Sequence, residues 1–357
     1  KAAPADLGGA FALAAWDAKA QRGWIAVDRI GVHQLVYARV GEALAFASTL
    51  DLLGGYPGVS RQLSSQAVYD YLYYHVVPGP KTIFEGLEPV PPGPCIEFGP
   101  QGAAPPAPYW AMRFTETRTE PVEQLKKEFR DLLKATVREA SDAPDSGSFL
   151  SGGTDSSTVS GTLGEVSGRP ARSFSIGFDV PGYDETEYAR IAARHFGCEH
   201  SEYYVTPQDV VEAVPRIAAS YDQPFGNASA VPTYHCARFA REKDIARLLA
   251  GDGGDELFGG NERYAKQRLL SLYHAVPSAL RSVMVEPLLT SSPWVSKVPP
   301  LRKLRSYVEQ ARPAMPRRYE SYNLLQHLGE REVLSTEFLA AVDTVHPRAL
   351  LAGAHPP

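Results

Sequence analysis

The chain has 357 residues, 44% of them hydrophobic and 22% charged, with a formal net charge of −5. That length holds two domains with sizeable cores, and that balance excludes a disordered chain. The negative charge and the lack of a basic run argue against a nucleic-acid surface, and no apolar stretch approaches membrane-spanning length, so no membrane partner is expected and the cytoplasm is the default location.

In chain order, residues 10 to 53 alternate apolar and polar side chains with period two. Examples are Phe11–Asp17, Gly23–Asp28, Leu35–Ala38 and Ala43–Ala47, separated by short connections carrying Asp17, Gly23, Gly31 and Gly41. This predicts an antiparallel sheet. A helix follows near Ser65 to Tyr74, then Pro78-Gly79-Pro80, a short strand, Pro91–Pro94 leading into Cys95–Phe98, and a Gly/Ala/Pro-rich loop or linker over 100 to 108. From Pro121 to about Ala140 the pattern turns helical, with Val122, Leu125, Phe129, Leu132, Leu133 and Val137 on one stripe. The change of period marks a domain boundary. Beyond it strands at 147–150, 172–178, 201–205 and 245–250 alternate with helices from 155 and at 185–197, 208–220 and 229–242. Such alternation predicts a parallel sheet with helices on both faces and a ligand at the carboxyl ends of its strands. The fold class is thus an α+β domain with an N-terminal antiparallel sheet, followed by an α/β parallel-sheet domain with C-terminal helices.

Phe149-Leu150-Ser151-Gly152-Gly153-Thr154-Asp155-Ser156-Ser157 reads as a buried strand ending in a glycine turn that opens a helix. Gly152 and Gly153 let the backbone bend close to a ligand, Ser151 and Ser156 add hydroxyls, and the helix N-terminus adds unpaired N–H groups and a positive dipole end. Phosphate or pyrophosphate is the natural occupant. Asp155 would repel a bare phosphate, so a hard cation is implied, and a magnesium triphosphate is the first hypothesis. No Gly-Lys-Ser/Thr follows, so this is not a Walker P-loop. The bland alternative is an ordinary strand-to-helix turn with a polar cap.

A second glycine-rich turn ends the strand at Leu248–Ala250: Gly251-Asp252-Gly253-Gly254-Asp255-Glu256, then Leu257-Phe258-Gly259-Gly260. Its acids, with Asp155, could hold a magnesium triphosphate between two strand ends; a calcium loop lacks the required spacing, and a solvated acidic turn is the alternative. Ser175-Ile176-Gly177-Phe178 could edge an adenine or be a plain buried strand. Asp184-Glu185 reads as a helix-start acid pair, and Asp222 lies either in the cleft or in turn chemistry. The three cysteines, Cys95, Cys198 and Cys236, form no CxxC pair and read as reduced core thiols. The nine histidines show no metal-ligand spacing, and His195 and His200, flanking a turn, are expected at the surface. Both ends read as cut: the chain starts with Lys1, its first methionine is Met112, and the tail from Leu351 to Pro357 carries no helix stop or final strand.

These residues carry a resemblance. The Ser151–Ser157 turn resembles the pyrophosphate-binding signature of the N-type ATP pyrophosphatases (PP-loop), and together with Gly251–Gly260 it resembles the asparagine synthetase family. Phe174–Phe178, Asp184-Glu185 and Pro232-Thr233-Tyr234 are also similar, as are Val27–Gly31, Phe46-Ala47-Ser48, Val77–Phe84, Pro91-Pro92-Gly93 and Tyr109-Trp110 to the later half of that family's glutaminase domain. The similarity runs from about Gly9 to Arg263. It implies a partial, Ntn-hydrolase-like glutaminase domain over 1–112 and an ATP-pyrophosphatase synthetase domain over 113–357, the latter C-terminally incomplete.

The family activates a side-chain carboxylate, normally that of aspartate, as an acyl-adenylate with release of pyrophosphate, and ammonia then attacks to give the amide. By resemblance, Ser151, Gly152, Gly153 and Ser156 would hold phosphates of ATP. Asp155 and Asp255 would ligate Mg²⁺, Leu150, Ile176 and Gly251 would touch the nucleoside through their backbones, and Asp252, the candidate catalytic residue, would face the adenylate from the position where relatives carry a catalytic acidic residue. The implied partners are a small-molecule carboxylate and an ammonia donor, with pairing into a homodimer left open.

Departures from the family pattern are specific. Its glutaminase half begins with a catalytic cysteine, absent here, as is its Arg-Asn-Gly-Glu motif; Gly8 stands where relatives place an aspartate, Thr49 replaces a Glu and His33 a Lys. The chain as given is therefore not expected to hydrolyse glutamine. The lysine-bearing segment of the synthetase half is also missing, which makes that site incomplete. The leading expectation is an asparagine-synthetase-type ligase. A specialised relative resembling β-lactam synthetases or lasso-peptide cyclases is the second, and a non-catalytic nucleotide-binding scaffold the third.

Overall fold

A computed structural model describes residues 3–115, 117–142, 145–180, 182, 184–290, 298–318 and 323–354. The chain divides into two units: Lys1–Glu116, Tyr221–Gly226 and Pro313–Pro357 form the first, Thr117–Ser220 and Asn227–Arg312 the second. This differs from a division at residues 112 and 113, because 221–226 and the C-terminal segment return to the first unit.

In the first unit a one-turn helix α1 (Ala3–Asp6) precedes β1 (Ala12–Asp17), β2 (Arg22–Val27), β3 (Val36–Val40) and β4 (Ala43–Ala47). Helices α2 (Leu50–Gly54) and α3 (Ser65–Tyr74) follow, capped by the hydroxyls of Thr49 and Ser64. Then come β5 (Leu87–Pro89), β6 (Pro94–Gly99) and the two-residue strands β7 (Gly102–Ala103) and β8 (Ala107–Pro108). The period-two runs form two antiparallel sheets, not one: β1-β2-β6-β7 with β8 beside β6, and β4-β3-β5. Alternation fixes which side chains are buried but not which strands pair. The corner between β2 and β3 decides the pairing. There the Asp28 carboxylate, 1% exposed, accepts from the backbone N–H of Phe11, Ile30, Val32 and His33 and turns the chain onto the second sheet.

The two sheets share a core of Ile25, Val27, Leu35, Tyr37, Val90 and Ile96. The opposite side of β3, at Val36 and Ala38, packs on Leu50, Leu53 and Leu87. Each fully buried aliphatic contributes about 1.5–3 kcal/mol, so β3, buried on both sides, anchors the unit.

The second unit begins with α4 (Val122–Ala140) and continues β9 (Ser146–Phe149), α5 (Thr154–Ser167), β10 (Arg172–Phe178), α6 (Thr186–Phe196), β11 (Glu199–Val205), α7 (Pro207–Ser220), α8 (Ala230–Glu242) and β12 (Arg247–Leu249). All four strands are parallel, in the order β11-β10-β9-β12. Val137, Leu163 and Leu249 place α4 and α5 on one face, where Leu150 also meets Ala189, Ala192 and Ala193 of α6. On the other face Cys236 and Ala240 of α8 pack on Phe174, Phe149 and Leu248. The chain steps from β9 to β10 to β11 in one direction, then returns to place β12 on the far side of β9. That reversal is a topological switch point.

After β12 come α9 (Gly254–Phe258), α10 (Glu262–Ala275), α11 (Ser278–Leu280), a π-helical turn at Arg281–Val285, α12 (Glu286–Thr290) and α13 (Pro299–Ala311). Leu270, Tyr273, Leu289, Val308 and Ala311 form their core. No described helix is long and apolar enough to cross a membrane.

The chain then rejoins the first unit through α14 (Leu324–Leu328), α15 (Glu330–Val333), α16 (Thr336–Ala340) and α17 (His346–Ala354). The tail thus carries a helix where the sequence shows no stop; Lys1 and residues 355–357 lie outside the described residues. Polar contacts tie this segment to α3. Tyr69 donates to Glu330 at 2.8 Å, Asn323 to the Tyr73 carbonyl at 2.7 Å, and His346 Nδ1 lies 3.1 Å from the buried Asp70 carboxylate. The 221–226 segment belongs here too: Asp222 accepts from the Leu50 N–H at 2.9 Å, and Gln223 from the Ile83 N–H at 3.0 Å. Asp222 therefore serves as a turn residue at the start of α2.

Candidate functional site

The site is built where β9 and β12 end, on either side of the switch point. Leu150, 1% exposed, donates its N–H to the Phe174 carbonyl at 2.9 Å and accepts from the Ser175 hydroxyl. The chain then leaves the sheet. Gly152 has φ +85°, and a Cβ there would lie 2.5 Å from the Ala189 nitrogen, so only glycine fits between the turn and α6.

The turn is held by its own hydroxyls. Ser151 and Ser156 Oγ are 2.9 Å apart, Ser151 N–H donates to Ser156 Oγ at 3.2 Å, and Gly153 N–H to Ser151 Oγ at 3.3 Å. Gly153 is the N-cap of α5 and supplies no capping side chain, leaving the first N–H groups of the helix aimed outward. These groups and the dipole end favour an anion.

The β12 loop closes over this turn. A Cβ on Gly251 would lie 2.8 Å from Asp155 Cβ, and one on Gly254 would lie 2.5 Å from Asp155 Oδ2. The glycines predicted from the sequence are thus the positions at which the two loops touch, and the half-buried Asp155 carboxylate rests on the Gly254 backbone. Asp255 lies in the first turn of α9 with Oδ1 beside Gly260, where a Cβ would be 2.5 Å away, and Asp252 is exposed on the loop between.

Beside the turn opens a cleft of about 370 Å³. Leu150, Ser151 and Ile176 line it, with Phe149 and Phe174 behind and Pro232 and Cys236 of α8 opposite. Its walls are mostly apolar with a few polar groups, the usual composition of a small-molecule site. Three further cleft residues, Glu185, Thr186 and Ala189, come from the first turn of α6, and Ser229 and Thr233 from the start of α8. Sequence reading noted Asp184-Glu185 as a helix start and Pro232-Thr233 as part of a resemblance, but gave neither a place in the cleft. The usable signal was topological: both helices begin beside the carboxyl ends of the strands.

Of the predicted residues, Leu150, Ser151 and Ile176 line the cleft, Gly152, Gly153, Asp155 and Ser156 form the adjoining turn, and Gly251 packs on Asp155. Among the described residues no group of three or more His, Cys, Asp or Glu could hold a metal by itself. Mg²⁺ is a hard cation that takes one or two carboxylates and completes its shell with phosphate oxygens and water, so Asp155 beside the Gly152 turn and Asp255 at the start of α9 are the carboxylates that could serve such an ion.

The surrounding titratable groups are structural. Burial pushes the Asp184 carboxyl up, but the Thr186 amide and hydroxyl and the Tyr204 hydroxyl outweigh it and hold the group below its ordinary value. Burial pushes the Cys236 thiol up to about 12 and also raises Cys198, so neither is a nucleophile. His195 is exposed as expected. His200 is not: its Nδ1 lies 2.9 Å from Ser173 Oγ in the β10–β11 pairing, and burial lowers its pKa.

Comparison with known proteins identifies the families that the chain matches. The family described as asparagine synthase matches residues 128–353, and the one described as glutamine amidotransferase domain matches residues 1–110. The chain is 30% identical over 287 residues to asparagine synthetase [glutamine-hydrolyzing] 1 of Bacillus subtilis, covering 79% of this chain and 44% of that protein. It is 30% identical over 285 residues to putative asparagine synthetase [glutamine-hydrolyzing] 2 of Methanocaldococcus jannaschii, covering 78% and 54%. With the putative asparagine synthetase [glutamine-hydrolyzing] of Mycobacterium bovis it shares 30% identity over 286 residues, 78% and 43% of the two chains. The chain spans about half the length of these curated relatives.

Proposed function

The chain belongs to the asparagine synthase family, and from that premise we propose that it carries the adenylating half of an ATP-dependent amide ligase, with aspartate as the carboxylate substrate and asparagine as the product. The observation that carries this reading is the meeting of the β9 and β12 loops over Asp155 at the switch point, beside a cleft sized for a nucleoside.

In this proposal the adenosine enters the cleft against Leu150 and Ile176, with Gly251 closing on it from the β12 loop. Ser151, Gly152, Gly153 and Ser156 cradle the β- and γ-phosphates through backbone N–H groups and hydroxyls, which aim at the charge that grows on the departing pyrophosphate. Asp155 and Asp255 would hold Mg²⁺, which when bound would neutralise that charge. The substrate carboxylate oxygen attacks the α-phosphorus, the α–β phosphoanhydride bond breaks, and pyrophosphate leaves. Ammonia then attacks the acyl carbon, AMP leaves, and the surplus proton passes to a base; Asp252, exposed on the facing loop, is our candidate for that contact.

The test is pyrophosphate release from MgATP by this chain with aspartate and ammonium supplied, beside an Asp155→Ala control. Release that needs aspartate and falls at least 100-fold in the control is the expected result, on the scale of losing an electrostatic contact to the transition state, about 2.7–4 kcal/mol. Release independent of both aspartate and Asp155 would sink the proposal.

A further inference from the structure

The first turn of α6 has two duties at the candidate site. It gives Glu185, Thr186 and Ala189 to the cleft wall, and its backbone at Tyr188 and Ala189 is the surface against which Gly152 packs. Whatever fixes this turn sets the wall and the phosphate loop together.

The fixing contacts join Arg190 and Thr186 of α6 to Glu202 and Tyr204 of β11. Arg190 donates Nε to Glu202 Oε1 at 2.8 Å and Nη2 to Oε2 at 2.6 Å, a two-pronged pair. The same Nη2 donates to the Tyr204 hydroxyl at 3.1 Å, which lies 3.0 Å from Thr186 Oγ1. Thr186 Oγ1 donates to Asp184 Oδ2 at 3.1 Å. The Tyr204 hydroxyl accepts from Arg190 and also lies 3.4 Å from Asp184 Oδ2, to which it can donate directly. Arg190, Tyr204, Thr186 and Asp184 thus form one connected chain of hydrogen bonds ending on the Asp184 carboxylate, in which each bond polarises its neighbours.

Gly177 makes the chain reachable. It pairs with Tyr204 across β10 and β11, and a Cβ on it would lie 2.6 Å from Tyr204 Cε1. The tyrosine ring therefore crosses the β10 backbone where a side chain would otherwise stand, and its hydroxyl arrives at α6.

Resting on the nucleotide-site reading above, we propose that Tyr204 and Arg190 are positioning residues for that site: through Thr186 and Asp184 they lock the first turn of α6 so that the cleft wall and the Gly152 turn are preformed for a nucleoside triphosphate. Neither residue touches the ligand. They act by sparing it the cost of ordering the turn.

The test compares MgATP affinity, by calorimetry, with melting temperature in the wild-type chain and in Tyr204→Phe, Arg190→Gln and Arg190→Lys. Tyr204→Phe keeps the ring and removes one link. Its Kd rises about tenfold while its melting temperature stays within a few degrees of wild type. Arg190→Gln shows the same loss, and Arg190→Lys, which keeps the charge but not the fork, falls between it and wild type. Wild-type binding with all three variants unchanged in Kd overturns this inference and leaves the nucleotide reading standing, as does a lower melting temperature with unchanged Kd, the mark of a purely structural clamp. Failure of the wild-type chain to bind MgATP overturns both.

Discussion

Gly152 and Gly168 both adopt positive φ, +85° and +66°, yet they are not equivalent. A methyl at Gly168 meets nothing within 4 Å, whereas at Gly152 it collides with the backbone of α6. Gly168→Ala is expected to cost only the left-handed penalty, about 1 kcal/mol, while Gly152→Ala adds a clash, costs on the order of 3 kcal/mol and weakens MgATP binding more than tenfold. Thermal denaturation and nucleotide titration of the two variants check the contrast. Cys236 gives a second test at this scale. With its thiol near 12, roughly one part in ten thousand is thiolate at pH 8, so a maleimide should leave it unmodified until denaturant is added. Rapid labelling of the native protein, read by mass spectrometry, would contradict that. Glycines and serines of the turn were legible in the sequence because their chemistry is local. His200 was not, because only its pairing with Ser173 across two strands buries it. Tyr204 was invisible for the same reason: its role depends on Gly177, twenty-seven positions away in the chain and opposite it in register.

Strands and helices followed the periodicity closely, and β10 covers Arg172–Phe178, the range read from sequence. The corner at Asp28 is what periodicity could not supply, since one carboxylate gathering four amides splits the expected sheet into two. Burial pushes this carboxyl up, but the amides of Val32, His33, Ile30 and Phe11 outweigh it and hold the group below its ordinary value. A carboxyl depressed in this way contributes stability that is present above the unfolded value, near 4, and is lost as pH falls through the lower folded value. Asp28→Asn should therefore lose about 2–4 kcal/mol at pH 7, and its unfolding free energy should fall less steeply than wild type's between about pH 4 and pH 2. Denaturant titrations across that range measure both slopes. Equal slopes would remove Asp28 from the account of acid stability.

At the scale of the whole molecule the sequence changes period near Pro121, whereas the two units interleave, with 221–226 and 313–357 belonging to the first. The return of 313–357 to the first unit was illegible because short amphipathic helices do not announce the surface they cover. Its polar ties fall on α3: Tyr69, Asp70 and the carbonyl of Tyr73 each pair with a C-terminal residue. A chain stopped after Glu120 should accordingly lack a sharp melting transition and regain it when residues 313–357 are added as a separate polypeptide. A sharp transition in the short chain alone would show that the return is dispensable. The same arrangement has a consequence in time. Synthesis delivers α3 long before its cover, and the 250 positions between Tyr73 and Asn323 take roughly ten to fifty seconds to translate at about 5–20 residues per second. During that interval the finished sheets wait on the ribosome with one flank bare, so a holding chaperone has more to guard early in this protein's life than at its end.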